Sequence, residues 1–312
     1  MIAETITVKD AAQVWLNHLE TRRRRPIKLS SAKTFESYID KWIVPRLGNL
    51  EVSGIGIAIL RDFIRQLDEA GLSAKTQNEL VACVKGIITH CSDADGNPLY
   101  PAAKMWSGER LDLPVVKHSE QHTPVVSRED IEGALTKSNT MYQCLFGLAG
   151  GSGLRIGELL SIKLAEDGTS TFFDARNAVI RVRRTMWRGQ EQTTKTEAGT
   201  REVEIPRHLA SFIEEFAVDR KGFLFGNGKC LDATTAREAL DRAIGSGIGY
   251  HAFRRFYVSH NRANAMPDDI LKRLLGHSSG GDITSRYNSY GSNSADRRFW
   301  VDKIGLGFNL PR

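Results

Sequence analysis

Across residues 1–90, apolar side chains recur at helical spacing in four separate stretches, each with its own start or stop signal. Four amphipathic helices of this length bury their apolar faces by closing into one small bundle. Thr7 with Asp10 makes a capping-box start ahead of Val8, Ala11, Ala12, Trp15, Leu16 and Leu19. A basic run, Arg22 to Arg25, follows and is closed by Pro26; it reads either as a solvated connection or as a loop that meets phosphates. A second helix is expected to open at Ser30 or Ser31, to carry Phe35, Tyr38, Ile39 and Trp42, and to end before Pro45. The third carries Leu60, Phe63, Ile64 and Leu67 and stops at Gly71; Ser73 starts the fourth, with Leu80, Val84, Ile87 and Ile88 facing inward. The aromatic positions of this bundle read as core.

Pro98 and Pro101 end that pattern, and the polar, aperiodic stretch 113–124 suits a linker. Ser127, with Asp130 at the third position, opens a second domain. There, Tyr142 to Ala149 is apolar and helical, Gly150-Gly151-Ser152-Gly153 is expected to break it, and a new helix is expected over Leu154 to Leu164. Ala178 to Arg183 and Arg201 to Ile205 alternate as strands, and helices resume near Pro206. The fold class expected is mainly α, of the α+β type: a helical bundle followed by a mixed domain with a small antiparallel sheet. The chain has a formal net charge of +6 and a sequence pI near 9.1, which favours a polyanionic partner. Residues 1–120 hold 16 Lys+Arg against 15 Asp+Glu, so the excess lies in the second part. The four cysteines show no C-x-x-C pair or zinc-site spacing, and the N-terminus has neither a basic n-region nor an apolar h-region. The expected location is the cytoplasm.

A second set of residues carries chemistry rather than packing. His251 and Arg254 are three apart on a helical pattern and share one face; His277 lies in Gly276-His277-Ser278, and Tyr287 closes the run after it. An arginine presents a planar fork to two phosphate oxygens, imidazoles exchange protons near neutral pH, and a tyrosine hydroxyl is a nucleophile. Arg155 is expected on the first turn of a helix, in Gly153-Leu154-Arg155-Ile156-Gly157-Glu158, where free N–H groups and the dipole suit a bound phosphate. The same guanidinium can instead pair with Glu158, one turn on. The glycines before it lack the Lys-Ser/Thr ending of a P-loop, which argues against nucleotide binding.

Taken in order, Gly-Leu-Arg-Ile-Gly-Glu-Leu-Leu-Ser-Ile, a lysine between two strands, His-x-x-Arg, Leu-Gly-His and a tyrosine resemble the tyrosine recombinase (phage integrase) family. The resemblance implies a core-binding, DNA-binding domain at residues 1–112, a linker at 113–125 and the catalytic domain at 126–298. It makes 299–312 a C-terminal tail, a candidate contact between protomers. It implies that Arg155 and Arg254 clamp the non-bridging oxygens of a scissile DNA phosphate and that His251 takes or gives the proton of the nucleophile. His277 hydrogen-bonds the phosphate, Glu158 orients its neighbours, and Lys195, in Thr194-Lys195-Thr196, is the general acid for the leaving 5′ oxygen. The residue nine positions after His277 is Arg286; Gly280-Gly281 reads as a one-residue insertion, and Ile283-Thr284-Ser285-Arg286-Tyr287 resembles the usual Thr-Thr-x-x-Tyr. Tyr287 is therefore the expected nucleophile, with Tyr290 as the alternative.

The activity so implied is site-specific DNA recombination: Tyr287 forms a 3′-phosphotyrosyl ester and releases a 5′ hydroxyl that later reverses the step on a partner strand. Because the ester conserves the bond energy, no metal, nucleotide or other cofactor is expected. The partners expected are double-stranded DNA, clamped by the two domains, and further copies of the chain as a homo-tetramer on paired sites; no membrane is expected. The helical pattern starts within the first ten residues, so simple sites without accessory arms are expected. Two alternatives are DNA relaxation of the type IB topoisomerase kind and a catalytically idle DNA-binding regulator. The complete set of six site residues argues against the second. The segment with Phe299, Trp300, Ile304, Leu306, Phe308 and Leu310 is too apolar to hang free in water, and packs on a neighbouring protomer or on its own domain.

Overall fold

The computed structural model describes residues 6–92, 99–100, 103, 105–117, 123–194, 197–226, 228–277 and 293–311. They fall into two compact units, Met1–Gln121 and His122–Arg312.

In the first unit Thr7 caps helix α1 (Val8–Thr21), accepting from the Asp10 backbone N–H at 3.2 Å and donating to its carboxylate at 2.6 Å. All the apolar residues expected to face inward from α1 are buried. Helix α2 (Leu29–Tyr38) does not stop before Pro45, contrary to expectation. A π-helical turn, Ile39–Ile43, carries it into a further turn, Val44–Leu47, that contains Pro45. Proline has no N–H to donate in any helical register, and in a regular α-helix its ring would also clash with the carbonyl four residues back; the wide turn relieves that clash. Ile39, Ile43 and Leu47 are all buried in the bundle core, which favours continuing the helix. Helices α3 (Ile57–Glu69) and α4 (Ala74–His90) complete the bundle, the latter capped by Ser73. Ala103, Trp106 and Leu111 extend the core beyond the point where the helical pattern ends.

The second unit opens as expected, with a reciprocal Ser127–Asp130 capping box on α5 (Arg128–Thr136). Helix α6 (Thr140–Ser152) runs through Gly150 and Gly151, where a break was expected, and ends at Gly153 with φ +63°. The physical reason is the chain's own C-terminal tail. A Cβ on Gly147, Gly150 or Gly151 would come within 3.3, 2.9 and 2.5 Å of Leu310, Phe308 and Leu306 respectively. The glycines form a groove that seats apolar side chains of the same unit, and Leu306 and Phe308 are buried there. Helix α7 (Ile156–Leu160) is shorter than the sequence pattern suggests, because the chain leaves it as a strand, β1 (Ile162–Lys163), that pairs in parallel with β2 (Thr171–Asp174). The four-stranded sheet runs β1-β2-β3-β6, with β3 (Val179–Val182) and β6 (Arg201–Glu204) antiparallel and Val182 opposite Arg201. The small sheet expected is thus present, with one parallel pair in it. A separate hairpin joins β4 (Arg184–Trp187) and β5 (Gln190–Thr193). Helices α8 (Arg207–Ala217), α9 (Ala233–Ile244), α10 (His251–Ala263), α11 (Asp268–Leu275) and α12 (Ser294–Ile304) follow. Among the described residues no helix is long and apolar enough to cross a membrane.

The tight fit of the tail predicts opposite effects for two helical glycines. Gly151→Ala should destabilise the protein by about 1–3 kcal/mol through overpacking. Gly133→Ala, with nothing within 4 Å of the added carbon, should stabilise α5 by about 0.5–1 kcal/mol. Urea unfolding of both variants checks this; equal effects of one sign would contradict the packing described.

Candidate active site

The site is built round one buried carboxylate. Glu158, 3% exposed, lies on α7 and accepts from the Arg155 backbone N–H at 2.9 Å and from Arg155 Nη1 at 3.1 Å. From β6 the fully buried Arg201 reaches the same group, Nη1 to Oε1 at 3.1 Å and Nη2 to Oε2 at 3.0 Å. Burial pulls the Glu158 carboxyl upward, but the hydrogen bonds and charge of Arg201, with those of Arg155, outweigh it and hold it below the ordinary glutamate value. Arg155 is the residue that caps α7, in extended conformation at φ −73° and ψ 150°, rather than lying on its first turn as expected. Its side chain is 46% exposed, so it can pair with Glu158 and still meet a ligand. The pairing with Glu158 and a phosphate-binding role are therefore compatible.

Arg254, 4% exposed, sits on the first turn of α10 and donates to the Gly153 carbonyl at 2.8 Å and the Leu275 carbonyl at 2.7 Å. Its Nη2 also lies 3.0 Å from His277 Nε2. Gly153 ends α6 and Leu275 ends α11, so this guanidinium is fixed by two helix C-termini whose carbonyls lack intrahelical partners. Burial, then the nearby Arg155, lower its pKa to about 10, so it stays charged at neutral pH. His251, at the start of α10, is held below the ordinary imidazole value by partial desolvation of its ring and then by Arg255, Arg254 and Arg155. His277 is lowered by burial and then by Arg254, Arg155, Arg201 and Arg262. The structure thus brings Arg155, Arg254, His251 and His277 into one electrostatic neighbourhood, with the Glu158 carboxylate beside Arg155 and Arg254. Such a cluster suits a doubly bonded anion with two imidazoles kept neutral for proton transfer.

Lys195, Tyr287 and the alternative Tyr290 lie outside the described residues. Sequence reasoning missed Arg201. The signal was an arginine on the same strand face as Val203, a position that a half-buried strand normally gives to an apolar side chain.

Arg155 is a shared cause of the two lowered imidazoles. Arg155→Met should therefore raise the titration midpoints of both His251 and His277 towards the free value of about 6.5. NMR titration of the ring protons checks the sign, and midpoints that stay in place would contradict the proximity of Arg155 to both rings.

The model of the phage integrase family matches residues 125–293, more than half of the chain. A protein described as "Tyrosine recombinase XerC-like" from Caldanaerobacter subterraneus subsp. tengcongensis is 24% identical, over 88% of this chain and 77% of that one. Among solved structures, the integrase of transposon Tn1549 in complex with transposon right-end DNA is 19% identical with a TM-score of 0.65, covering 90% of this chain and 98% of that one. A lambda integrase tetramer bound to a Holliday junction is 17% identical with a TM-score of 0.55, covering 91% and 78%. The structural likenesses show a shared fold, and the family match adds the lineage: the chain belongs to the phage integrase family of tyrosine recombinases.

Proposed function

We propose that the protein is a site-specific DNA recombinase that cuts and rejoins duplex DNA through a 3′-phosphotyrosyl intermediate. One observation carries the reading: two guanidiniums are held by contacts of their own, Arg155 by Glu158 and Arg254 by the Gly153 and Leu275 carbonyls, and Arg254 lies 3.0 Å from the His277 ring. In-line attack on a phosphodiester builds charge on the non-bridging oxygens, and guanidinium donors already fixed in place stabilise it without reorganisation. Arg155 and Arg254 take that role. Tyr287 forms the new O–P bond and passes its proton to His251; the bond from phosphorus to the 5′ oxygen breaks, and Lys195 supplies the proton that the leaving oxygen needs. His277 donates to the phosphate from beside Arg254. The ester conserves the energy of the broken bond, so the return step needs no metal or nucleotide.

Recombination joins two DNA sites with two strands exchanged at each, which calls for four active sites; we assign a homo-tetramer on paired sites, acting on DNA of the nucleoid. A tetramer on a Holliday junction is the form described for lambda integrase, which shares the fold. The basic excess after residue 120 and the arginine run at 22–25 would supply phosphate contacts, giving affinity that falls steeply with salt.

The test uses suicide duplexes carrying the DNA that flanks the protein's own gene, with EDTA present. Wild type should give a protease-sensitive shifted band on a denaturing gel, and Tyr287→Phe should give none. A band that persists in Tyr287→Phe would move the nucleophile to Tyr290. Salt-sensitive binding without a band from either protein would contradict the enzyme and favour the idle regulator.

A further inference from the structure

We propose that Arg201 is a positioning residue of the active site: it carries the counter-charge of Glu158, so that the charge of Arg155 is left for the DNA phosphate, and it ties together the segments bearing the site residues. The inference rests on the recombinase reading above.

The first part is electrostatic. Glu158 has one negative charge and two guanidinium neighbours, Arg155 at 3.1 Å and Arg201 with two contacts at 3.1 and 3.0 Å. Arg201 is fully buried and Arg155 is 46% exposed. A buried carboxylate needs a full partner, and a planar fork bonded to both oxygens supplies one. With Arg201 in place, Arg155 bonds to a carboxylate already neutralised and keeps a net charge towards the open side. Without Arg201, Arg155 would become the sole counter-ion of a buried carboxylate and would be drawn inward, cancelling the charge that a phosphate needs.

The second part is geometric. Besides Glu158, Arg201 Nε donates to the Leu274 carbonyl at 2.7 Å and Nη1 donates to the Gly199 carbonyl at 3.0 Å. Leu274 precedes Leu275, whose carbonyl holds Arg254, and His277 follows two residues later. Gly199 follows the segment that contains Lys195. One guanidinium therefore joins α7, the end of α11 and the connection into β6. The same contact explains the glycine of Leu-Gly-His. Gly276 adopts φ +64°, and a Cβ there would lie 2.8 Å from Arg201 Nη1 and 3.0 Å from the Ala198 carbonyl. Any larger residue would have to displace the guanidinium as well as strain the backbone.

The experiment compares wild type, Arg201→Met, Glu158→Gln and the double variant Arg201→Met/Glu158→Gln. Two quantities are read: the single-turnover rate of covalent adduct formation on the suicide duplex, and the Kd for the uncleaved duplex. Arg201→Met should slow adduct formation by about 100-fold or more, the size of effect seen when a fixed transition-state donor is lost. Kd should change by less than about threefold, because affinity rests on many phosphate contacts. The double variant removes the stranded carboxylate charge and should recover about tenfold in rate over Arg201→Met. A scaffold role alone would not give that recovery, since the double variant lacks the same carbonyl contacts. A double variant no faster than Arg201→Met, or an Arg201→Met rate within about threefold of wild type, would overturn the inference. If Arg201→Met does not fold, Arg201→Lys keeps the charge without the fork and should stay within about tenfold of wild type; a loss of about 100-fold would overturn the counter-charge role. Absence of adduct with wild type on every duplex would instead fell the recombinase reading, and the role of Arg201 with it.

Discussion

The ion pair between Glu158 and Arg201 is the contact on which the second unit depends. Both members are buried, and each bonds to more than the other: Glu158 to the backbone and side chain of Arg155, Arg201 to the carbonyls of Gly199 and Leu274. Breaking such a pair by removing one member costs about 3–5 kcal/mol, a large share of the roughly 5–15 kcal/mol that holds a domain folded. A hydrophobic pair of the same volume could serve stability equally well. The ionic pair does something a hydrophobic one cannot, which is to fix the charge and direction of Arg155 at the mouth of the site.

Strand β6 is the spine through which that contact reaches the rest of the unit. Arg201 looks towards α11, while Glu204, three residues on, accepts from Arg297 Nε of α12 at 3.0 and 2.8 Å. The sheet is thus covered on both sides, and two buried arginines set the two helices that flank residues 278–292: Arg201 by its bond to the Leu274 carbonyl of α11, and Arg297 of α12 by its ion pair with Glu204. Arg298 adds bonds from α12 to the Ile205 and Ala178 carbonyls, at 2.6 and 2.7 Å. Beyond α12, Leu306, Phe308 and Leu310 settle into the glycine face of α6, the helix whose C-terminal carbonyl at Gly153 holds Arg254. The tail, the sheet, Arg155 and Arg254 are consequently one connected packing problem.

Much of this was legible in the sequence, for identifiable reasons. The helices of the first unit show a 3.6-residue period that burial imposes, so their inward residues could be named. Arg155, His251, Arg254 and His277 were singled out by their order, which resembles that of the tyrosine recombinases, and the bonds and charges of the structure place them near one another. What escaped were features set by distant partners. Pro45 stays helical because a π turn accommodates it, and Gly150 and Gly151 stay helical because a tail more than a hundred residues away fills the groove. Strand β5 is entirely polar and mostly exposed, so it shows no alternation to read. Arg201 and Glu204 are buried on opposite faces of one strand, which an alternation rule for a half-buried sheet cannot anticipate.

The most direct measurement is to isolate the covalent protein–DNA adduct, digest it with nuclease and protease, and identify by tandem mass spectrometry the side chain that retains a nucleotide. The expected result is a single modified residue, Tyr287, esterified to a 3′ phosphate. A nucleotide on Tyr290, on a serine, or linked through a 5′ phosphate would contradict it.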